Sequence, residues 1–258
     1  MFKVLQFNMQ FGQSWDDAYP DYAPITLDLT IAEIRSHDAD IVLLQEVEQV
    51  TPIGVQHNPP PHYTKLRAAL SGYDVFFQSR KIDPRELPFG IGQAILSKTP
   101  LSDTLWLNLP SPAIEFEFRG QKRTPTDRLL IGAKTALAGR ELRIFNAHLL
   151  AFFMLNPSAE EVEEQDGQRQ LVIDQLRAST GPTLLGGDFN VSKHESLVRQ
   201  FADAGYRTVQ KEKVTWRRRP YVLDHIFYSR HLRPVRHAVK PTPASDHHAL
   251  VAEFEFVD

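Results

Sequence analysis

Thr183-Leu184-Leu185-Gly186-Gly187-Asp188-Phe189-Asn190 is the stretch from which the fold is read. A short apolar run flanked by turn residues reads as a buried strand rather than a helix, and this one stops on Asp188 and Asn190. Working outward, runs of the same kind recur at 2–9, 40–47, 73–79, 92–98, 128–137, 141–149, 222–229 and 248–256. Helical patterns lie between some of them, at 25–36, 63–71, 159–178 and 194–204, the third opening with Ser158 and Glu161 at capping-box spacing. Many strands with few helices predict an α/β (α+β) sandwich of two sheets with helices outside, in one domain spanning 1–258. The segment 51–62, with four prolines and two histidines, reads as a surface loop.

Composition narrows the chemistry. The 258 residues carry 29 Lys+Arg against 32 Asp+Glu, and there is no cysteine, which removes thiol catalysis, disulfides and cysteine-ligated zinc or iron–sulfur sites. What remains is carboxylate, histidine and amide chemistry, so any metal should be hard. No apolar run approaches the roughly 18–20 residues of a membrane span. Met1-Phe2-Lys3 runs into Val4-Leu5-Gln6-Phe7 without a signal-like cleavage region, so a cytoplasmic location and no transmembrane segment are expected.

Polar residues repeatedly stand where apolar strands stop. Asn8 ends the first and Gln45-Glu46 the second; Asn146 and His148 end another; Asp188 and Asn190 follow the glycines; Asp224-His225 open one; Ser245-Asp246-His247 precede the last. Singly each reads as a turn former, but six together read as groups converging on one site. Carboxylates with amide oxygens suit Mg²⁺, whereas zinc would want more histidine at closer spacing. An Asp/His pair that orients a water, beside a metal and cations, points to phosphoester hydrolysis. Neither a nucleophile elbow nor a glycine-rich phosphate loop is present.

Taken in order, Leu5-Gln6-Phe7-Asn8, Leu44-Gln45-Glu46, Asn146-Ala147-His148-Leu149, Gly187-Asp188-Phe189-Asn190, Leu223-Asp224-His225-Ile226 and Ser245-Asp246-His247 resemble the motifs of the endonuclease/exonuclease/phosphatase superfamily, across residues 5 to 247. The resemblance implies a four-layered αββα sandwich, two mixed sheets face to face, and a Mg²⁺-dependent phosphoesterase site in which Mn²⁺ can substitute. It implies Glu46 as principal metal ligand with Asn8 and Asp246 nearby as ligands or behind them, Asp188 and Asn190 holding and polarising the attacking water, and Asp224 orienting His247, which would contact the scissile phosphate or act as base. His148 would face the phosphoryl oxygens, with Gln45 supporting Glu46. Arg128 resembles an arginine preceding the strand before the His motif, its alternative being a surface salt bridge. Gln10 and His148 differ from what abasic-site endonucleases carry at those places, which puts the chain nearer the subgroup with Asn-x-His-Leu.

The substrate stays open at this point. From Arg207 to Lys240 there are ten Lys/Arg against Glu212 and Asp224, a bias that attracts a polyanion or merely lines a solvated face. Trp216 reads as a loop anchor or as a wall on which a base or other leaving group packs, and 151–155 as a helix start tucked into the core or a substrate-contacting lid. His225 and His248 should face away from their neighbours Asp224 and His247, and the remaining histidines are assigned to the surface. The expected partner of this monomer is a phosphoester, with DNA or RNA ahead of a small or lipid phosphate, and a silent binding module as the remote alternative.

Overall fold

The structure, a computed structural model, describes residues 1–49, 59–80, 90–112, 114–118, 120–125, 128–155 and 167–257. One sheet has the order β13 (Leu232–Lys240), β14 (Ala249–Phe256), β1 (Phe2–Asn8), β2 (Ile41–Gln49), β4 (Gly90–Ser97), β3 (Asp74–Gln78). The other has β11 (Arg207–Thr208), β12 (Asp224–Tyr228), β10 (Thr183–Asp188), β9 (Arg140–His148), β8 (Arg128–Leu137), β5 (Ser102–Leu109), and β6 (Phe116–Phe118) pairs with β7 (Gln121–Arg123) apart from both. The helices are α1 (Leu27–His37), α2 (Pro61–Ala69), α3 (Phe152–Leu155), α4 (Gly167–Arg177) and α5 (His194–Asp203).

Period-2 alternation sorts the core into layers. Val4, Ile41, Leu43, Ile131, Ile144, Leu184, Ile226 and Leu250 meet between the sheets. Their neighbours Leu5, Phe7, Val42 and Leu44 turn to the outer face under Leu27, Ile31 and Ile34 of α1 and Leu66 of α2. Phe145, Leu185 and Phe227 turn the other way, under Val172, Ile173 and Leu176 of α4 and Leu197 and Phe201 of α5. The result is helix, sheet, sheet, helix, as expected. Each fully buried Val, Leu or Ile contributes roughly 1.5–3 kcal/mol. At Gly186 the facing sheet leaves no room for a side chain: a Cβ there would meet Leu43 Cδ1 at 2.3 Å.

Each sheet contains one parallel pair joined by a crossover, β1 with β2 in one and β9 with β10 in the other. On the face between the sheets, the alternation that buries Val4, Ile144, Leu184 and Ile226 also carries Gln6 and Asn8, Asn146 and His148, Asp188, and Asp224. Apolar side chains therefore fill the middle of the sandwich and polar ones its end. Asn8, Glu46, His148 and Asp188 all lie at or near the C-terminal ends of the two parallel pairs.

Some expectations change. The edge strands β5, β11 and β13 and the β6–β7 pair were not anticipated, because edges need no continuous apolar run: β13 exposes Arg233, Val235, Arg236 and His237 and shifts register next to Pro234. The helix expected over 159–178 is described only as α4, and Ser158 and Glu161 fall outside the described residues, as does most of 51–62. Residues 152–155 form a single helical turn, with Phe152 buried against Leu150, Phe153 half-exposed and Met154 exposed. Among the described residues no helix is long and apolar enough to cross a membrane.

Candidate active site

Glu46 owes its position to a bulge. Gln45 faces the other sheet and Val47 lies on the α1 side, so Glu46 is the extra residue in β2, with a left-handed φ of 52° and a register shift between Gln45 and Glu48. Its carboxylate receives Asn8 Nδ2 at Oε1 (3.0 Å) and the Gly90 amide at Oε2 (3.2 Å). The same Asn8 Nδ2 donates to Asp188 Oδ2 at 2.9 Å, and Asn8 Oδ1 accepts the Gln10 amide. One amide thus bridges the carboxylates of opposite sheets.

Beneath them runs a fully buried polar chain. Gln6 donates to Gln45 and to Asp224 Oδ1 (3.2 Å), Gln45 donates to Gln6 Oε1 (3.0 Å) and Asn146 Oδ1 (2.6 Å), and Asn146 donates to the Leu44 and Ala94 carbonyls. Each such group left unpaired would cost about 1–3 kcal/mol, so the chain fixes the register of the two sheets as well as the floor of the site. Asn146 belongs to this floor and not to the open cluster above it.

The histidines differ in what they can do. His148 Nδ1 lies 3.2 Å from Arg128 NH1, and because a guanidinium only donates, Nδ1 accepts and the proton of the neutral ring resides on Nε2. Burial first, and then the Arg128 and His247 charges, hold His148 well below the usual imidazole range. Its Nε2 is buried without a hydrogen-bond partner, 3.5 Å from Asp188 Oδ2 and 3.8 Å from Glu46 Oε1. Arg128 is 7% exposed and reaches inward, so the surface-salt-bridge alternative falls away.

His247 is set by Asp224, whose Oδ2 is 2.8 Å from Nδ1, leaving Nε2 3.7 Å from Asp188 Oδ2. Burial pulls this imidazole down, but Asp224, Asp188 and Asp246 outweigh it and push it up to about 10. Asp188 is pushed up to about 7, by burial above all and by Asp224 and Glu46, against His247 and Asn8. Burial, with Asp246, likewise raises Glu46 against Arg128, Asn8 and His247. Asn190, with φ 48°, gives its backbone N–H to Asp188 Oδ1 (3.0 Å) and its Nδ2 to the Leu149 carbonyl.

Asp246 is held from outside by Trp216, a candidate of the sequence reading, and by Arg218 and Gln10, which sequence patterning did not assign to the site. Its Oδ2 accepts Trp216 Nε1 (3.1 Å) and Arg218 Nε (2.8 Å), and its amide donates to Gln10 Oε1. Arg218 also reaches Asp21, and its guanidinium, like that of Arg217, lies over the Trp15 ring. Trp216 is 8% exposed, bridges to His247 through the backbone and contacts Phe153 and Tyr221, so it anchors its loop beside His247. His225 faces the other way, among Phe189 and Phe227 with Nδ1 at Thr208 Oγ1 (3.1 Å), as expected. Of the histidines assigned to the surface, His237 is exposed, His37, His62, His194 and His231 are half-buried, and His57 lies outside the described residues.

Glu46, His148 and Asp188 each offer a donor atom, all within 4.8 Å of one another. Because Arg128 leaves the proton on His148 Nε2, the donors this cluster offers are the carboxylate oxygens of Glu46 and Asp188, with Asp246 nearby, while Asn8 turns its Nδ2 to the two carboxylates and its Oδ1 to the Gln10 amide. That set fits a hard divalent cation. Two carboxylates raised by burial are also the electrostatic condition that a cation relieves.

Similarity to known proteins agrees with this arrangement. A UPF0294 protein of Yersinia pseudotuberculosis is 34% identical over 122 residues, covering 45% of this chain and 44% of that protein, and the chain spans about half the length of the curated relatives it matches. An endonuclease/exonuclease/phosphatase structure from Beutenbergia cavernae superposes with a TM-score of 0.75 at 18% identity, covering 99% of this chain and 71% of that one. D. rerio TDP2 complexed with single strand DNA product gives a TM-score of 0.66 at 16% identity, covering 98% of each chain. These likenesses show the fold. The family described as Endonuclease/Exonuclease/phosphatase matches residues 5–247, and with that match over nearly the whole length the chain belongs to this family of phosphoester hydrolases.

Proposed function

We propose that the protein is a Mg²⁺-dependent phosphodiesterase that hydrolyses its substrate by in-line attack of a water, with nucleic acid as the favoured substrate. The observation that carries this reading is the convergence of Glu46, Asn8, His148, Asp188 and His247 from both sheets, each with a side-chain nitrogen or oxygen 2.9–3.8 Å from another of the set. Glu46 would be the principal ligand of the cation, with Asn8 and Asp246 beside it as ligands or through water. When bound, the cation supplies charge neutralisation at the phosphoryl oxygens.

The chain's own residues do the rest. Asp188, oriented by the Asn190 amide and Asn8 Nδ2, holds the attacking water and takes its proton. His247, held by Asp224, and His148, with its proton kept on Nε2 by Arg128, present N–H groups to the phosphoryl oxygens. Trp216 backs the leaving-group side beside His247. Support for a nucleic acid comes from Arg207, Lys211 and Lys213, exposed and without an ion pair among the described residues, and from the likeness to a relative complexed with DNA.

The test is hydrolysis of single- and double-stranded DNA, RNA, an inositol polyphosphate and a choline phospholipid with Mg²⁺, Mn²⁺ or EDTA, beside Glu46→Ala. Metal-dependent nucleic-acid cleavage lost in the variant is the expected result. Cleavage of the small or lipid substrates alone would overturn the substrate assignment, and activity and metal binding unchanged in Glu46→Ala would overturn the metal site.

A further inference from the structure

The basic excess of residues 207–240 does not form one surface. Arg233 and Arg236 pair with Glu255 and Glu253 across β13 and β14, and Arg218 is committed to Asp246 and Asp21. Arg207, Lys211 and Lys213 are different: all three are exposed, and among the described residues none is in an ion pair. They line, with Glu212 as the one acid and His237 of β13 opposite, a cavity of about 420 Å³ where the edges of the two sheets come together beside α5.

The backbone shows where this cavity leads. Arg207 and Thr208 pair with Tyr228 and Phe227, the Val209 amide donates to the Ile226 carbonyl, and Gln210 Nε2 donates to the Asp224 carbonyl (3.3 Å). Gln210 Oε1 then accepts the Glu212 and Lys213 amides, fixing the turn that carries both lysines. Thr215 Oγ1 accepts the Leu223 and Asp224 amides, and Trp216 pairs with His247. The segment thus follows the edge of β12 from its far end to the active site, tied along the way to the strand that supplies Asp224.

We propose that Arg207, Lys211 and Lys213 form a cationic track that seats the phosphodiester backbone of a nucleic-acid substrate away from the scissile bond. The proposal rests on the nuclease reading above and assigns a site beyond it. The segment that carries these cations is tied along the edge of β12 as far as Thr215 and Trp216 beside His247, so a chain of phosphates seated on them runs on toward the catalytic cluster, which a single small anion would not do. The cavity between α5 and β13 gives room for the strand to leave the surface of the site without meeting the paired arginines of β13.

The experiment compares the wild type, Lys211→Gln/Lys213→Gln, and the charge-matched control Arg233→Gln/Arg236→Gln on single-stranded oligonucleotides of about 4 and 16 nucleotides, lengths that bracket the single-strand sites of OB folds. KM and kcat are measured with Mg²⁺ between 50 and 200 mM salt. Loss of two phosphate contacts should lower the salt slope of binding by about 1.4, so that KM for the longer strand rises with salt about sevenfold less steeply than in the wild type. At low salt that KM should increase while kcat holds, and the control should keep the wild-type slope. Equal KM and slope in the lysine variant, with the wild type cleaving both strands, overturns the track alone. Absence of cleavage of any oligonucleotide by the wild type overturns the nuclease reading together with the track.

Discussion

Gly90→Ala tests the site through a contact that no catalytic motif contains. Gly90 opens β4 opposite the bulge of β2, and a Cβ there would lie 2.2 Å from Glu46 Cβ, 2.3 Å from Oε2 and 2.7 Å from Cγ. Its backbone has no positive φ, so alanine is conformationally acceptable and the whole effect must come through Glu46. To reach ordinary contact distances the carboxylate must withdraw by more than about 1 Å. Glu46 has no easy retreat, because its own φ of 52° is fixed by the bulge and Oε1 is held by Asn8. A misplacement of this size in a catalytic group costs about 100-fold, or ~2.7 kcal/mol of transition-state stabilisation. We expect kcat/KM to fall by that factor, the Mg²⁺ concentration for half-activation to rise, and stability in EDTA to drop by about 1–3 kcal/mol, because the closest contact is with Glu46 Cβ, which cannot turn aside as a carboxylate can. The assay is initial rate against Mg²⁺ concentration on the substrate found in the panel above, beside a thermal melt with and without metal. A variant within threefold of the wild type, with unaltered Mg²⁺ dependence, would refute the reasoning.

Asp224→Asn should leave the fold intact and lower kcat by about 10³–10⁴, because the amide presents the wrong partner to His247 Nδ1; a loss below tenfold removes Asp224 from that role. Arg128→Met should free His148 Nδ1 to carry the proton and cut kcat by about 10²-fold, and the ¹⁵N shifts of His148 should report the tautomer change, so unaltered shifts would contradict it. His225 is pushed down to about 4, chiefly by burial and secondarily by His194. The unfolded chain therefore takes up a proton as pH falls below about 6.5 while the folded one does not, and His225 lowers stability progressively down to pH 4 by about 3 kcal/mol. His225→Phe, among Phe189 and Phe227, should remove that slope, read as the pH dependence of the difference between the two urea unfolding free energies. A constant difference from pH 7 to 4 would show that His225 is not buried neutral.

The layers and the polar ends of strands were legible in the sequence for one reason. Alternation that buries Ile144 or Leu184 also dictates that His148 and Asp188, an even number of residues on, face the same space. Glu46 breaks that rule: strict alternation from Gln45 would turn it under α1, and only the bulge, invisible in Leu44-Gln45-Glu46-Val47, brings it to the site. The bond from Arg128 to His148 Nδ1 and the hold of Arg218 on Asp246 join residues 20 and 28 apart, and no local pattern encodes them. The basic run misled in the opposite sense. Its composition is uniform, but pairing across β13 and β14 neutralises part of it, and only strand register reveals which cations remain.

The same register explains why so much acid can be concentrated at one end of the sandwich. Parallel pairs deliver successive strand ends to a common edge, so β1 with β2 and β9 with β10 bring Asn8, Glu46, His148 and Asp188 together without any of them leaving its sheet. Packing the two pairs face to face then places Glu46 and Asp188 on one amide, that of Asn8, which can satisfy both by donation and neutralise neither. Arg128 and His247 are the nearest positive charges, and each is already engaged, Arg128 with His148 and His247 with Asp224. Negative charge is thus gathered faster than the chain's own cations can balance it, and burial raises both carboxylates as a result. A site built this way favours a divalent ion, whose charge offsets the burial that raises both carboxylates and whose preference for oxygen its donors meet.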